Sequence, residues 1–177
     1  MLRVPPHSKQ HTIPKCYLKA WCDPKTPAGH SPYVWHISKD GPAIKNRSPE
    51  KSFTATDRYT ITLPNGQREL VLEETLSRLE GDFVGVLSRV RRYEKLTDHD
   101  RARLCTFAAA MCARTYAAGE HWRDNLTRLR DQTAALAKAR GAGTVATSEL
   151  DELIQAAPQV HLATTLKMLP ELLFQWR

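Results

Sequence analysis

From Leu70 onward, apolar residues recur every three or four positions, and this spacing restricts the fold more than any other feature. Between residues 70 and 92 they fall at 72, 76, 79, 83, 86, 87 and 90. A second stripe with the same spacing runs from Leu104 to Leu136. Because this period places apolar side chains on one helix face, the sequence predicts a helix over 70–92 and a single long helix over 97–139.

Capping residues and breakers indicate where these helices begin and end. Thr97 followed by Asp100 is typical of a capping box at a helix start. The stretch 139–144, ARGAGT, ends the long helix. Thr147 or Ser148 then begins a short acidic helix, and an apolar helix interrupted at Pro170 closes the chain.

The first 68 residues lack this helical period. Thr12 and Pro14 are typical of a helix start, and apolar residues follow them at helical spacing. The remaining segments are predicted as a loop over 23–32, a strand over 33–38, an extended loop over 43–57 and a second strand within 58–72. The predicted fold class is therefore α+β: a small irregular N-terminal part with a short antiparallel sheet, packed on a mostly antiparallel helical bundle. We expect one domain over 1–177, with a flexible tail at 1–10, a basic α+β segment at 11–68 and a helical segment at 69–177.

The net charge of +7 is confined to one part of the chain. Residues 1–68 contain 11 Lys and Arg against 4 Asp and Glu, whereas residues 69–177 contain 15 of each kind. A one-sided basic region is typical of proteins that bind a polyanion such as nucleic acid. Tyr17, Trp21, Tyr33 and Trp35 lie among these basic residues and could stack on bases, although aromatic residues are more often core.

The sequence shows neither a secretory signal nor a membrane-spanning run, which favours a soluble, cytosolic protein with no membrane partner. The four cysteines are then expected to be reduced thiols. His11, Cys16, Cys22 and His30 lack the tight spacing of zinc knuckles, so no zinc site is predicted from them. No motif identifies a cofactor.

The segment 11–21, HTIPKCYLKAW, resembles the opening H-Y-x-P-Q-F-Y-L-K-N-F of a bacterial family known as domain of unknown function 4238. VWHISKDG, SPEKSFTATDRY, LEETLSRLEGDFVGVL and LCTFAAAMCART follow in the family's order, so the resemblance covers about residues 11–115. Thr12, Lys15, Ala20 and Trp21 depart from the family's pattern. The matched positions are His11, Pro14, Tyr17, Leu18, Glu73, Glu80 and Arg114. The resemblance implies a fold of this kind and no established activity.

Glu73 and Glu80 are the first candidate catalytic residues. Seven residues apart, they lie about 20° from each other on the predicted helix, at the edge of its apolar stripe. A carboxylate at the edge of a core needs a partner, because its desolvation is costly. A structural ion pair with an arginine is one interpretation, and an acid–base or metal-binding carboxylate is the other.

Arg114 and His121 are the next candidates. Their spacing looks like the R-x₄₋₆-H motif of the HEPN ribonucleases, in which arginine stabilises phosphate charge and histidine transfers a proton. On a continuous helix they would share one edge, about 20° apart. His11 is the fifth candidate, since it precedes the helix start and has no evident packing role.

We expect His11, Glu80 and Arg114 to lie close together, with Glu73 on the same rim. The leading hypothesis is a cytosolic bacterial protein that binds nucleic acid, with a nuclease in a defence or toxin role as its more specific form. Two alternatives stay open: an interaction protein that forms a homodimer through the long helix, and an enzyme that acts on small phosphorylated substrates.

Overall fold

A computed structural model describes residues 9–63, 65–141 and 146–175. The described strands are β1 Lys9–His11, β2 Val34–Ser38, β3 Gly41–Arg47, β4 Thr54–Thr56, β5 Ile61–Thr62 and β6 Arg68–Glu69. The helices are α1 Lys15–Leu18, α2 Val71–Arg91, α3 Asp98–Ala113, α4 Tyr116–Ala139, α5 Ser148–Gln155 and α6 Ala157–Gln175, with short 3₁₀ turns at Lys19–Trp21 and Pro49–Lys51. Short N-terminal strands followed by long helices confirm the predicted α+β class.

The described strands form three separate antiparallel pairs, β1 with β4, β2 with β3 and β5 with β6. Gln10 lies opposite Ala55 in the first pair, and Trp35 lies opposite Asn46 in the second. The extended loop predicted for 43–57 is therefore wrong, since most of β3 and all of β4 fall within it. Lys9 and Gln10, which the sequence assigned to a flexible tail, are paired in β1; residues 1–8 lie outside the described part of the chain.

The helices pack around a small apolar core. Contacts between α2 and α3 run in opposite senses along the two helices, from Arg89 with Asp100 to the stacked rings of Phe83 and Phe107, so the two helices are antiparallel. The packing of α6 against α3 is the most extensive helix contact. The central cluster consists of Tyr59, Leu76, Ala110, Ala113 and Leu162, with Leu72, Leu79 and Leu166 packed against it. Tyr59 belongs to the N-terminal part, which is thereby joined to the bundle.

The single helix predicted over 97–139 is wrong. Helix α3 ends at Ala113, and Thr115 has extended backbone angles (φ −66°, ψ 150°) before α4 begins at Tyr116. The Thr115 hydroxyl accepts a hydrogen bond from the amide of Ala118, which makes Thr115 an N-cap. The Arg114 carbonyl accepts from the Tyr59 hydroxyl at 3.1 Å. Tertiary and capping hydrogen bonds thus replace those of a continuous helix.

Other predicted boundaries have mixed outcomes. The helix over 70–92 is confirmed as α2, and Thr97 with Asp100 forms the predicted capping box. Thr12 is not a helix cap: its hydroxyl donates to the Phe53 carbonyl at 3.0 Å, and Pro14 precedes α1. Helix α6 continues through Pro170, so the predicted interruption is also wrong. None of the described helices is long and apolar enough to cross a membrane.

Candidate functional site

Arg114 lies at the C-terminal end of α3, where its side chain is 3% exposed. Its Nη1 donates to Glu80 Oε1 on α2 at 2.7 Å. Its Nε donates to the main-chain carbonyl of His11 at 3.1 Å, and Nη2 donates to the same oxygen. The guanidinium group therefore joins α2, α3 and β1, and it uses its donors on protein acceptors.

Glu80 has a second neighbour, the thiol of Cys16. The Cys16 Sγ lies 3.9 Å from Glu80 Oε2. Burial raises the pKa of the Cys16 thiol, and the nearby negative charge of Glu80 raises it further. Cys16 is therefore a neutral donor beside the Glu80–Arg114 pair, and its elevated pKa disfavours a thiolate nucleophile.

Glu73 is reached through Gln10, a buried residue of β1. The Gln10 amide nitrogen donates to Glu73 Oε2 and to the Thr60 hydroxyl, both at 3.0 Å. The Gln10 amide oxygen accepts from the Tyr59 main-chain N–H at 2.6 Å. This one side chain therefore fixes β1 against both α2 and the segment before β5.

His11 contributes different atoms to two contacts. Its carbonyl oxygen accepts from Arg114, whereas its ring Nε2 lies 3.2 Å from the carbonyl oxygen of Pro49. Neutral imidazole protonated at Nε2 would donate this hydrogen bond, leaving Nδ1 as an acceptor. The ring is half-buried rather than enclosed.

Four predicted site residues converge on one cavity of about 150 Å³. Its lining includes Lys9, Gln10, His11, Tyr59, Glu73, Leu76, Ser77, Glu80 and Arg114. The predicted proximity of His11, Glu80 and Arg114, with Glu73 on the rim, is confirmed as geometry. A cavity of this size holds a few water molecules, at about 30 Å³ each. Because Arg114 is bound to protein acceptors, the arrangement is that of a buried ion pair that fixes the fold, and a catalytic role for these residues stays a prediction.

His121 does not share a helix with Arg114. The break at Thr115 places Arg114 at the end of α3 and His121 on the exposed side of α4. The His121 Nε2 contacts Asn125 Nδ2 at 3.1 Å, and the residue is not among those that line the cavity. The shared helix edge expected for the two residues is therefore wrong, because it assumed a continuous helix over 97–139.

A second concave surface, the basic groove, lies in the N-terminal part and has a volume of about 1280 Å³. Its lining includes the basic residues Lys15, Lys19, Arg47 and Lys51, the carboxylates Asp23 and Glu50, and the polar and aromatic residues His30, Tyr33, Asn46 and Ser48. The elements that form it are α1, the loop before β2, the end of β3 and the turn at Pro49–Lys51. The groove is much larger than the cavity around Arg114.

Both carboxylates of the groove are already hydrogen-bonded. Glu50 Oε1 accepts from Lys15 Nζ at 3.0 Å, which lowers the pKa of the Glu50 carboxyl. Asp23 Oδ1 accepts from the main-chain N–H of Lys25 at 2.8 Å, and Oδ2 accepts from Trp35 Nε1 at 3.0 Å and from the Tyr33 hydroxyl at 3.2 Å. These hydrogen bonds lower the pKa of the Asp23 carboxyl, and the bond from the Lys25 N–H has the largest effect.

A family model described as "protein of unknown function (DUF4238)" matches residues 9–170. The chain belongs to this family. The match confirms the resemblance over 11–115 and extends it through α4 and α5 into α6. No curated protein and no solved structure matches the chain.

The DUF4238 region contains both the cavity and the groove. In the part of this DUF4238 protein that the structure describes, no group of three or more His, Cys, Asp and Glu side chains could hold a metal ion. Cys16 and Cys22 have separate contacts, with Glu80 and with the Leu18 carbonyl respectively.

Sequence reasoning did not single out the residues that build the groove. It noted basic and aromatic residues in the first 68 positions without assigning them to one surface, and it gave Asp23 no role. The available signal was the spacing of Asp23, Tyr33 and Trp35 around a loop that contains three prolines. Only the three-dimensional structure shows that the Tyr33 hydroxyl and the Trp35 indole N–H both donate to the Asp23 carboxylate.

Proposed function

We propose that this protein binds nucleic acid in the basic groove. The observation that carries the proposal is the charge of the lining: four basic side chains face two carboxylates that are already hydrogen-bonded to donors. Among the described residues, Lys19, Arg47 and Lys51 form no ion pair. Cations that form no close ion pair are available to phosphate groups, which supply most of the affinity in protein–nucleic acid binding.

The dimensions of the groove also favour a polymer. Small-molecule pockets usually measure about 300–1,000 Å³ and enclose most of their ligand. The basic groove is larger, and its basic side chains are spread over α1, the turn at Lys19–Trp21, β3 and the turn at Pro49–Lys51. Charges distributed in this way suit successive phosphates of one strand better than a single phosphorylated metabolite.

The experiment is a titration of fluorescein-labelled 20-nucleotide RNA and DNA, followed by anisotropy at two salt concentrations. Three phosphate contacts should reduce single-strand affinity about 20-fold between about 50 and 200 mM salt, since each contact contributes about 0.7 to the logarithmic salt slope. The double variant Lys19→Glu/Lys51→Glu should lose most of this affinity.

The matched control is Lys95→Glu/Lys167→Glu. It changes the net charge by the same amount, at two exposed residues outside the groove lining. The control should bind almost as the wild-type protein does. Absence of binding at about 50 mM salt, or an equal loss in the control, would contradict the proposal.

The finer hypothesis, a nuclease in which His11, Glu73, Glu80, Arg114 and His121 act on the bound strand, stays a prediction. Gel electrophoresis of the same samples would report cleavage directly. Binding is better supported than cleavage. Arg114, the residue expected to stabilise phosphate charge, is buried and donates to Glu80 and to the His11 carbonyl, so its donors are already used.

A further inference from the structure

Trp35 is an aromatic side chain at the edge of the basic groove that is both exposed and held in place. Its side chain is 51% exposed. Its indole N–H donates to Asp23 Oδ2 at 3.0 Å, and its ring meets the Tyr33 ring edge-on with centroids 5.3 Å apart. Trp35 is not itself a lining residue, but both partners line the groove, as does Asn46, which lies opposite Trp35 in the β2–β3 pair.

Such an arrangement prepares a flat apolar surface for a ligand. The hydrogen bond from Trp35 and the edge contact with Tyr33 restrict the ring before any ligand arrives, so less conformational entropy is lost on binding. The indole N–H is already satisfied, which leaves the π-face as the part of the side chain available for contact. Bases stack on faces of this kind, and each stacked base contributes substantially to single-strand affinity.

We infer that the basic groove takes a single strand in preference to a duplex, with one unpaired base stacked on Trp35. This inference rests on the proposed function, because the phosphates must first be held by Lys19, Arg47 and Lys51. Bases in a duplex are stacked on one another and cannot cover a protein ring. The cations would therefore serve either form, whereas the ring would serve only the single strand.

Trp21 provides an internal comparison. It is 65% exposed, more than Trp35, and it contacts Tyr17 in a tilted arrangement with centroids 6.1 Å apart. Among the described contacts its indole N–H has no acceptor, and its ring partner Tyr17 is not part of the groove lining, whereas the partners of Trp35 are. An effect specific to Trp35 would therefore reflect the anchored position and not the loss of any exposed tryptophan.

The test measures the affinity of wild-type protein, Trp35→Ala, Trp35→Phe and Trp21→Ala for a 20-nucleotide RNA and for a duplex of the same sequence. Trp35→Ala should bind the single strand about 10-fold more weakly and the duplex as the wild-type protein does, because one base loses its stacking surface. Trp35→Phe keeps a ring and should lose less, and Trp21→Ala should stay within about twofold of the wild type.

A spectroscopic measurement supplements the affinities and does not depend on the stability of the alanine variant. Stacking on Trp35 should quench the tryptophan fluorescence of the wild-type protein when single strand is added, and Trp35→Phe should show a smaller quench. If Trp35→Ala and Trp35→Phe bind single strand like the wild type and the quench persists, the inference is wrong and the proposed function stands. If the wild-type protein binds neither form, the proposed function fails as well.

Discussion

Arg114 shows how one buried side chain connects three parts of this chain. Its guanidinium group contacts Glu80 on α2 and the His11 carbonyl in β1, and its own carbonyl accepts from Tyr59. A buried charge is tolerated only when its donors are satisfied, and here acceptors from β1 and α2 do so. The conformation of β1 and the end of α3 thus depend on each other.

Replacing Arg114 with alanine should reduce the free energy of unfolding by about 3–5 kcal/mol. The substitution leaves the Glu80 carboxylate and the His11 carbonyl without their donor in a mostly buried place, and removing one partner of a buried pair has costs of this size. Urea denaturation followed by circular dichroism measures the difference.

The control is Arg103→Ala, which also removes an arginine of α3 paired with a carboxylate of α2. Arg103 and Asp82 are 3.3 Å apart, and their side chains are 35% and 51% exposed, so the loss should stay below about 1 kcal/mol. Equal losses of unfolding free energy for the two variants would show that burial of the Arg114–Glu80 pair contributes nothing to stability. Glu80→Gln tests the nuclease hypothesis separately. Lost nuclease activity with an unchanged free energy of unfolding would favour a catalytic carboxylate, and a reduced free energy of unfolding would favour the structural ion pair.

At the scale of elements, the connection between α3 and α4 depends on contacts from the N-terminal part. Arg58 Nη2 donates to the Thr115 carbonyl at 3.2 Å, and its guanidinium group lies 4.0 Å from the centroid of the Tyr116 ring. Gly119, one turn into α4, lies directly beneath this group: a Cβ atom there would be 2.8 Å from Arg58 Nη2. Glycine at this position therefore leaves room for the arginine.

Gly119→Ala should change the stability of the wild-type protein by less than about 1 kcal/mol, because two effects oppose each other. Alanine favours the helix by up to about 1 kcal/mol, whereas displacement of Arg58 weakens a hydrogen bond and a cation–π contact of similar total size. In an Arg58→Ala background the displacement no longer occurs. There Gly119→Ala should stabilise the protein by about 0.5–1 kcal/mol.

A double-mutant cycle over these two positions measures the coupling by urea denaturation. Additive effects, with Gly119→Ala having the same value in both backgrounds, would mean that Arg58 moves aside without loss. The distance of 3.6 Å from the same Cβ position to Pro158 is an ordinary contact and should not oppose the substitution.

At the scale of the whole molecule, packing between α4 and α6 includes a histidine. The His161 ring lies 5.4 Å from the Trp122 ring, centroid to centroid. Burial lowers the pKa of His161, and the nearby His121 lowers it further. Burial also lowers the pKa of His36, which contacts the Ser52 hydroxyl at 3.0 Å in the N-terminal part.

The free energy of unfolding should therefore decrease as the pH falls below about 6.5, the ordinary histidine value. A histidine whose folded pKa is depressed binds its proton more readily in the unfolded state. Its stabilising contribution is complete above the unfolded pKa and is lost as the pH falls through the folded pKa. Urea midpoints at about pH 7.5 and 5.5 measure the effect.

His161→Phe keeps a ring beside Trp122 but cannot titrate, so it should reduce this pH dependence. His36→Gln should remove a second part of it, in the N-terminal segment. An unchanged difference between the two pH values in both variants would show that neither histidine contributes.

Parts of the fold could be predicted because they depend on neighbours in sequence. The α2 period and the Thr97–Asp100 capping box each need only residues within a turn or two. The pairing of Glu80 with Arg114 was also predictable, because both residues lie at helix edges and each needs a charged partner. His11 joins them through its main-chain carbonyl, an atom that every residue has. Thr115 is a residue type typical of an N-cap, but the apolar stripe continues past it. The periodicity therefore gives no sign that one helix ends and another begins there.

By itself the sequence determined the helical period of the last two thirds, the capping of α3 and the concentration of positive charge in the first 68 residues. Only the tertiary structure decided that Lys9–His11 pairs with Thr54–Thr56, that α3 ends at Ala113 and that Asp23 accepts hydrogen bonds from both Tyr33 and Trp35. The physical reason is the range of the interactions. Periodicity and capping act within a few residues, whereas the side-chain hydrogen bonds of Tyr33 and Arg114 join groups that are 10 and 103 residues apart in the chain.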